Sequence, residues 1–151
     1  MLEINGTAQA RYAFTASQDL TLPKDVMIAV VDDDKSFREA LVGLMKSLGY
    51  RGVAFSSAED FLNSKDHDSA ACLIADVQMP GMTGLELYNQ LIASGNPVPT
   101  ILITAYPDQG MRLSALQAGV SCCLAKPFRE SELLACLDSA LNSRAAPEHP
   151  S

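Results

Sequence analysis

Between residues 26 and 143, short apolar runs alternate with amphipathic stretches. Residues 26–31, Val-Met-Ile-Ala-Val-Val, are apolar without a break. A strand covered on both faces needs such a run, because neither side of its pleat meets water. Residues 35–48 then place Phe37, Leu41, Leu44 and Leu48 at steps of four, three and four. That spacing draws one helix face, and Gly49 is a suitable stop. The alternation continues. A weaker strand over 51–55 leads to a short helix from the N-cap Ser57 to about residue 65. A third strand over 72–75 precedes a Pro-Gly loop, and Leu87, Leu91 and Ile92 mark a helix over 84–94. A fourth strand over 100–104 is followed by a helix over 108–118, closed by Gly119. A fifth strand over 120–124 and a helix over 130–143, bearing Leu133, Leu134, Leu137 and Leu141, complete the pattern.

Five strand–helix units predict an α/β fold: a single doubly wound (βα)5 domain with a parallel five-stranded sheet. Right-handed crossovers bring the C-terminal ends of all strands to one edge, and open sheets of this kind bind ligands there. Residues 1–25 are aperiodic and read as a flexible N-terminal extension. Residues 144–151 contain two prolines and read as a disordered tail, which leaves 26–143 as the folded domain.

Composition narrows the function. The net charge of −7, with no basic run, argues against a direct nucleic-acid partner or an anionic membrane surface. No stretch reaches the length of apolar chain that crosses a bilayer, and residues 1–22 lack the basic start and apolar centre of a secretory signal. Without secretion, the Asn5-Gly6-Thr7 sequon carries no weight. Cys72, Cys122, Cys123 and Cys136 match neither a zinc pair nor a disulfide framework in their spacing. They read as small buried thiols in a reducing cytoplasm.

The chemistry lies just past the strands. Asp32, Asp33 and Asp34 follow the first, Asp76 the third and Lys126-Pro127 the fifth, while Thr104 ends the fourth. Singly, each has a plain structural role: Asp34 suits a helix N-cap, Asp76 a turn, Lys126 a solvated surface. Together they do not. Carboxylates converging from two strand ends repel one another and call for a hard cation such as Mg²⁺. A carboxylate beside that ion can attack phosphorus and form an acyl phosphate. Lys126 and Thr104 can hold two further phosphoryl oxygens, and Ala105 is small enough to leave room.

These stretches resemble the receiver domain of two-component response regulators. The resemblance rests on Val30-Val31-Asp32-Asp33-Asp34, on Asp76-Val-Gln-Met-Pro80-Gly-Met-Thr-Gly84-Leu-Glu-Leu87, on Ile101-Leu-Ile-Thr104-Ala105 and on Lys126-Pro127-Phe128. It covers residues 26–142 and is closest to receivers that carry helix-turn-helix output domains. It implies the flavodoxin-like receiver fold and a cytoplasmic phosphorelay switch. Asp76 would accept a phosphoryl group from a histidine kinase or phosphotransfer protein and pass the signal by a conformational change. Mg²⁺ would sit on Asp32, Asp33, Asp76 and the Gln78 backbone carbonyl. Thr104, Ala105 and Lys126 would receive the phosphoryl group, and the Lys126–Pro127 peptide would be a candidate for cis. A homodimer or partner surface would lie on helix 4, strand 5 and helix 5.

Two features depart from the family pattern. The usual aromatic residue three positions before the lysine is Cys123, too small to swing between buried and exposed positions. Tyr106 is then the candidate to replace it, or to shield the acyl phosphate from water. Residues 144–151 are too few to hold an output domain, as expected of either a stand-alone receiver or a trimmed chain. Other readings make different demands. An aspartyl-phosphate phosphatase or phosphotransferase needs an acid two residues past its nucleophile, where this chain has Gln78. A flavin carrier needs a phosphate loop after the first strand, where three aspartates stand. A pseudo-receiver, binding without phosphorylation, would not need the full acceptor set.

Overall fold

A computed structural model describes residues 26–145. Five strands, β1 (Met27–Val31), β2 (Arg51–Phe55), β3 (Ala70–Asp76), β4 (Thr100–Thr104) and β5 (Cys122–Ala125), form one sheet in the order β2-β1-β3-β4-β5. All four pairings are parallel. The helices are α1 (Lys35–Ser47), α2 (Ala58–Asn63), α3 (Gly84–Ala93), α4 (Gln109–Ala118) and α5 (Glu130–Ala145). This is the doubly wound parallel sheet the alternation predicts, and it has the flavodoxin-like form the resemblance implies. The extension expected over 1–25 lies outside the described residues, as do residues 146–151 of the tail expected over 144–151, whose first two residues belong instead to α5.

The pleat sorts the apolar runs onto two faces. Met27, Ala29, Val31, Leu73, Ala75 and Leu102 join the core under α2, α3 and α4. Ile28, Val30, Ile74, Ile101 and Ile103 join the other, with Leu41 and Met45 of α1 and Leu133 and Leu137 of α5. The two-residue period of a strand feeds both cores from a single run, so β1 has no polar position until Asp32.

Local signals set the helix ends. The Asp34 carboxylate accepts from the Phe37 amide, and the Ser57 hydroxyl accepts from the Asp60 amide. Thr83 and Glu86 form a capping box that opens α3. Gly119 ends α4 at φ 111°, a left-handed conformation that glycine adopts without strain.

Several bounds differ from the sequence reading, among them the starts of β3 and β5 and the end of α5. β3 begins at Ala70 rather than 72, because parallel pairing with Met27 extends it backwards from a 3₁₀ turn at His67–Ser69. β5 starts at Cys122 rather than 120, since Val120 is taken up in closing α4, its amide bonded to the Ala115 carbonyl. α5 runs to Ala145 rather than 143.

Gly84 marks the tightest approach. A Cβ there would sit 2.5 Å from the Asp76 carbonyl oxygen and 3.1 Å from Leu102 Cδ2. Gly84→Ala should therefore cost about 1–3 kcal/mol, the usual range for overpacking. Urea denaturation checks this, and an unchanged midpoint would mean the β3–α3 loop gives way freely.

Candidate phosphoacceptor site

The C-terminal ends of β1, β3, β4 and β5 bring the acidic and basic residues together. Asp76 is the last residue of β3, and its backbone is tied to β4: the Asp76 position pairs with Ile103, and the Val77 amide donates to the Ile103 carbonyl at 2.8 Å. Asp32 follows β1, its amide donating to the Phe55 carbonyl at 3.2 Å. Oxygens of Asp32, Asp33 and Asp76 lie within 4.8 Å of one another. Asp32 is 1% exposed and Asp76 7%, whereas Asp33 is open to solvent. Asp34 stands apart as the α1 cap, although its amide donates to Asp32 Oδ1 at 2.8 Å and orients that carboxylate.

Lys126 enters from the β5–α5 turn. Its Nζ is 3.4 Å from both Asp32 Oδ2 and Asp76 Oδ2. These are long, shared contacts rather than a committed pair. The Lys126–Pro127 peptide is cis. The Lys126 amide donates to the Thr104 carbonyl at 2.8 Å, so the backbones carrying these two groups are tied. Burial, and next the Asp32 carboxylate, push the Asp76 carboxyl above the usual aspartate range, against the pull of Lys126.

Thr104 Oγ1 donates to Gln78 Oε1 at 2.8 Å and accepts from the Tyr106 amide at 3.0 Å. The Gln78 amide in turn donates to Asp76 Oδ1 at 3.1 Å. Ala105 is exposed beside this group, and the Tyr106 side chain is 72% exposed, so its ring does not pack over the loop. Cys123 is buried and lines a cavity of about 200 Å³ with Thr104, Pro107, Met111 and Arg112. The space an aromatic side chain would take is thus open, and Arg112 reaches past it to the Cys123 carbonyl at 3.2 Å.

Sequence reasoning missed three contributors. Phe37, read only as part of the α1 face, lies under the Lys126 ammonium, 4.2 Å from ring centroid to Nζ. Glu59 Oε2 accepts from the Met82 amide at 3.2 Å and so ties α2 to the loop after Asp76. Arg38 donates to the Asp32 carbonyl at 2.6 Å. Helical spacing places Phe37 and Arg38 near the strand end, but not which partner they meet.

The cysteine expectation needs correction. Cys72 and Cys123 are free and buried, but Cys122 and Cys136 form a disulfide. The α5 helix returns across the sheet and lays Cys136 over the start of β5, with the Cα atoms 5.9 Å apart. The intervening turn hides this pairing in the linear spacing.

Residues 28–138 match the family model of the response regulator receiver domain. The chain is 41% identical over 125 residues to the response regulator protein TodT of Pseudomonas putida, a match spanning 83% of this chain and 54% of TodT. It is 34% identical over 114 residues to the transcriptional regulatory protein FixJ of Bradyrhizobium diazoefficiens, covering 76% of this chain and 56% of that protein. The chain thus spans about half the length of these relatives. Among solved structures, response regulator StyR aligns with a TM-score of 0.73 at 39% identity, over 79% of this chain and 60% of that one. The FixJ-N crystal structure aligns with a TM-score of 0.70 at 28% identity, over 78% of this chain and 94% of that one. The chain belongs to the response regulator receiver domain family.

Proposed function

We propose that this chain is the phosphoacceptor switch of a two-component phosphorelay, taking a phosphoryl group onto Asp76 from a histidine kinase or phosphotransfer protein. The observation that carries the reading is the buried Asp76 carboxylate, set against two acidic neighbours and 3.4 Å from an ammonium. Receivers of this family are regulatory rather than catalytic, and a cytoplasmic location belongs to the same reading.

Three carboxylates face one lysine, an excess of negative charge with all-oxygen donors, which fits Mg²⁺. Asp32, Asp33, Asp76 and the Gln78 backbone carbonyl would hold it. When bound, it neutralises charge on the phosphoryl oxygens. The Asp76 oxygen attacks phosphorus as the P–N bond of the donor phosphohistidine breaks, and the imidazole leaves with the bonding pair. Lys126, only loosely shared between Asp32 and Asp76, moves to a phosphoryl oxygen. The Thr104 hydroxyl exchanges its bond to Gln78 for a phosphoryl oxygen, which loosens the Gln78 side chain. Gln78 offers no carboxylate to deprotonate an attacking water, so the acyl phosphate persists.

Incubation with Mg²⁺ and acetyl phosphate should add one acid-stable, base-labile phosphate, and a chelator should stop it. No incorporation under these conditions would favour the pseudo-receiver. We place the readout on α4, β5 and α5, where Leu113 and Leu116 of α4 are 52% and 39% exposed, as a homodimer or partner surface would need. Tyr106 stands free beside Thr104 and can fold over the acyl phosphate. Tyr106→Ala should shorten the phosphoryl lifetime several-fold, and an unchanged lifetime removes the shielding role.

A further inference from the structure

Cys122 opens β5 in register with Ile101, and Cys136 is buried on α5 beside Leu133 and Leu137. Their bridge closes a segment in which the two cysteines are 14 residues apart, and that segment carries Lys126. We propose that Cys122 and Cys136 are a redox-sensitive lock, a site of reversible thiol–disulfide exchange with a small thiol such as glutathione. The proposal rests on the phosphoacceptor reading of Asp76 for its consequence, but not for its chemistry.

The other thiols cannot substitute. Cys123 belongs to the core on the opposite face of the sheet from Cys136. Cys72 is fully buried in β3, and burial pushes its thiol up to about 12. Access is asymmetric within the pair: Cys122 is half-buried and Cys136 is 6% exposed. A thiolate therefore attacks Cys122 Sγ. The S–S bond breaks, and Cys136 leaves as a thiolate that takes a proton. A second small thiol attacks the mixed disulfide, releasing the Cys122 thiol and the oxidised small disulfide. Two electrons and two protons pass from the small thiols to the pair, and the reverse exchange restores the bridge.

The bridge restrains the segment that must move. Phosphorylation draws Lys126 away from Asp32, and the change has to reach α5. With β5 and α5 covalently tied, that rearrangement is hindered. Whatever hinders the active arrangement also weakens binding of the group that induces it, by the same factor.

The test uses the whole chain in glutathione buffers of graded ratio. Alkylation of denatured samples should label two cysteines at oxidising ratios and four at reducing ones. Reduction should lower Tm by roughly 10 °C, as expected for a loop of this length. Beryllofluoride with Mg²⁺, a phosphoryl mimic, should bind the reduced form at least about fivefold more tightly. Cys136→Ser should bind like the reduced form at every ratio, with Cys122→Ala as the second variant if the first fails to fold. Four free thiols at every ratio would overturn the proposal. So would equal beryllofluoride affinity in both forms. Beryllofluoride that binds neither form would instead bring down the reading of Asp76, while the thiol count still judges the bridge.

Discussion

Asp76→Asn should abolish phosphate incorporation and at the same time stabilise the metal-free protein. The two effects have one origin. Asp76 is buried beside Asp32, and both facts push its carboxyl above the ordinary value near 3.8. A group raised in the folded state favours the fold while protonated, and that contribution is lost as pH rises through its folded pKa. At neutral pH the wild type therefore holds an ionised carboxylate in a site that resists it. Asparagine removes the charge and keeps an oxygen for the Gln78 amide, which now bonds Asp76 Oδ1. It cannot form an acyl phosphate. The variant should melt higher than wild type at pH 7 without metal, and the difference should shrink toward pH 4. Mg²⁺ should raise the wild-type Tm and leave the variant nearly unmoved, since a ligand stabilises only the state that binds it. Calorimetry at two pH values, with and without Mg²⁺, checks all of this. Phosphate incorporation that survives the substitution would move the acceptor elsewhere.

Much of this site could be read from the chain because its chemistry is attached to strand ends. An unbroken run such as Val26–Val31 has to be a covered strand, and the residue after it has to face the open edge. That places Asp32 and Asp33, and the same logic places Thr104 and Lys126. What escaped depends on side chains meeting across elements. Phe37 is one of the four spaced apolar positions that mark the first helix face, and only the fold shows that Lys126 lies over it. The Thr104–Gln78 hydrogen bond joins residues 26 apart, and nothing in either neighbourhood announces it. Cys122 and Cys136 looked unpaired because a strand–helix turn separates them. The bounds of β3 and β5 shifted for a related reason: pairing with Met27 lengthened the first, and the closure of α4 consumed the start of the second.

Lys126→Met should push metal binding and phosphorylation in opposite directions. The Lys126 ammonium is the cation that the structure places against Asp32 and Asp76, 3.4 Å from each. It competes with Mg²⁺ for the same negative charge, and like charges a few ångströms apart repel strongly where water is scarce. Removing it should tighten Mg²⁺ binding by about tenfold. With no tryptophan in the chain, that affinity is followed by tyrosine signals or NMR. Phosphorylation should nonetheless slow by about a hundredfold, the usual loss when one donor to a developing oxyanion is removed. A second cause adds to it: Lys126, with the Gln78 backbone amide, draws the Asp76 carboxyl down against burial and Asp32, so its removal lets that carboxyl rise further. Methionine keeps the aliphatic stem and removes the ammonium together with its place over the Phe37 ring, so the variant isolates the loss of the cation. The metal-free variant should melt lower, because two buried carboxylates then face each other unopposed, and saturating Mg²⁺ should close most of that gap. If metal affinity and phosphorylation instead fall together, Lys126 shapes the metal site itself rather than competing with the ion.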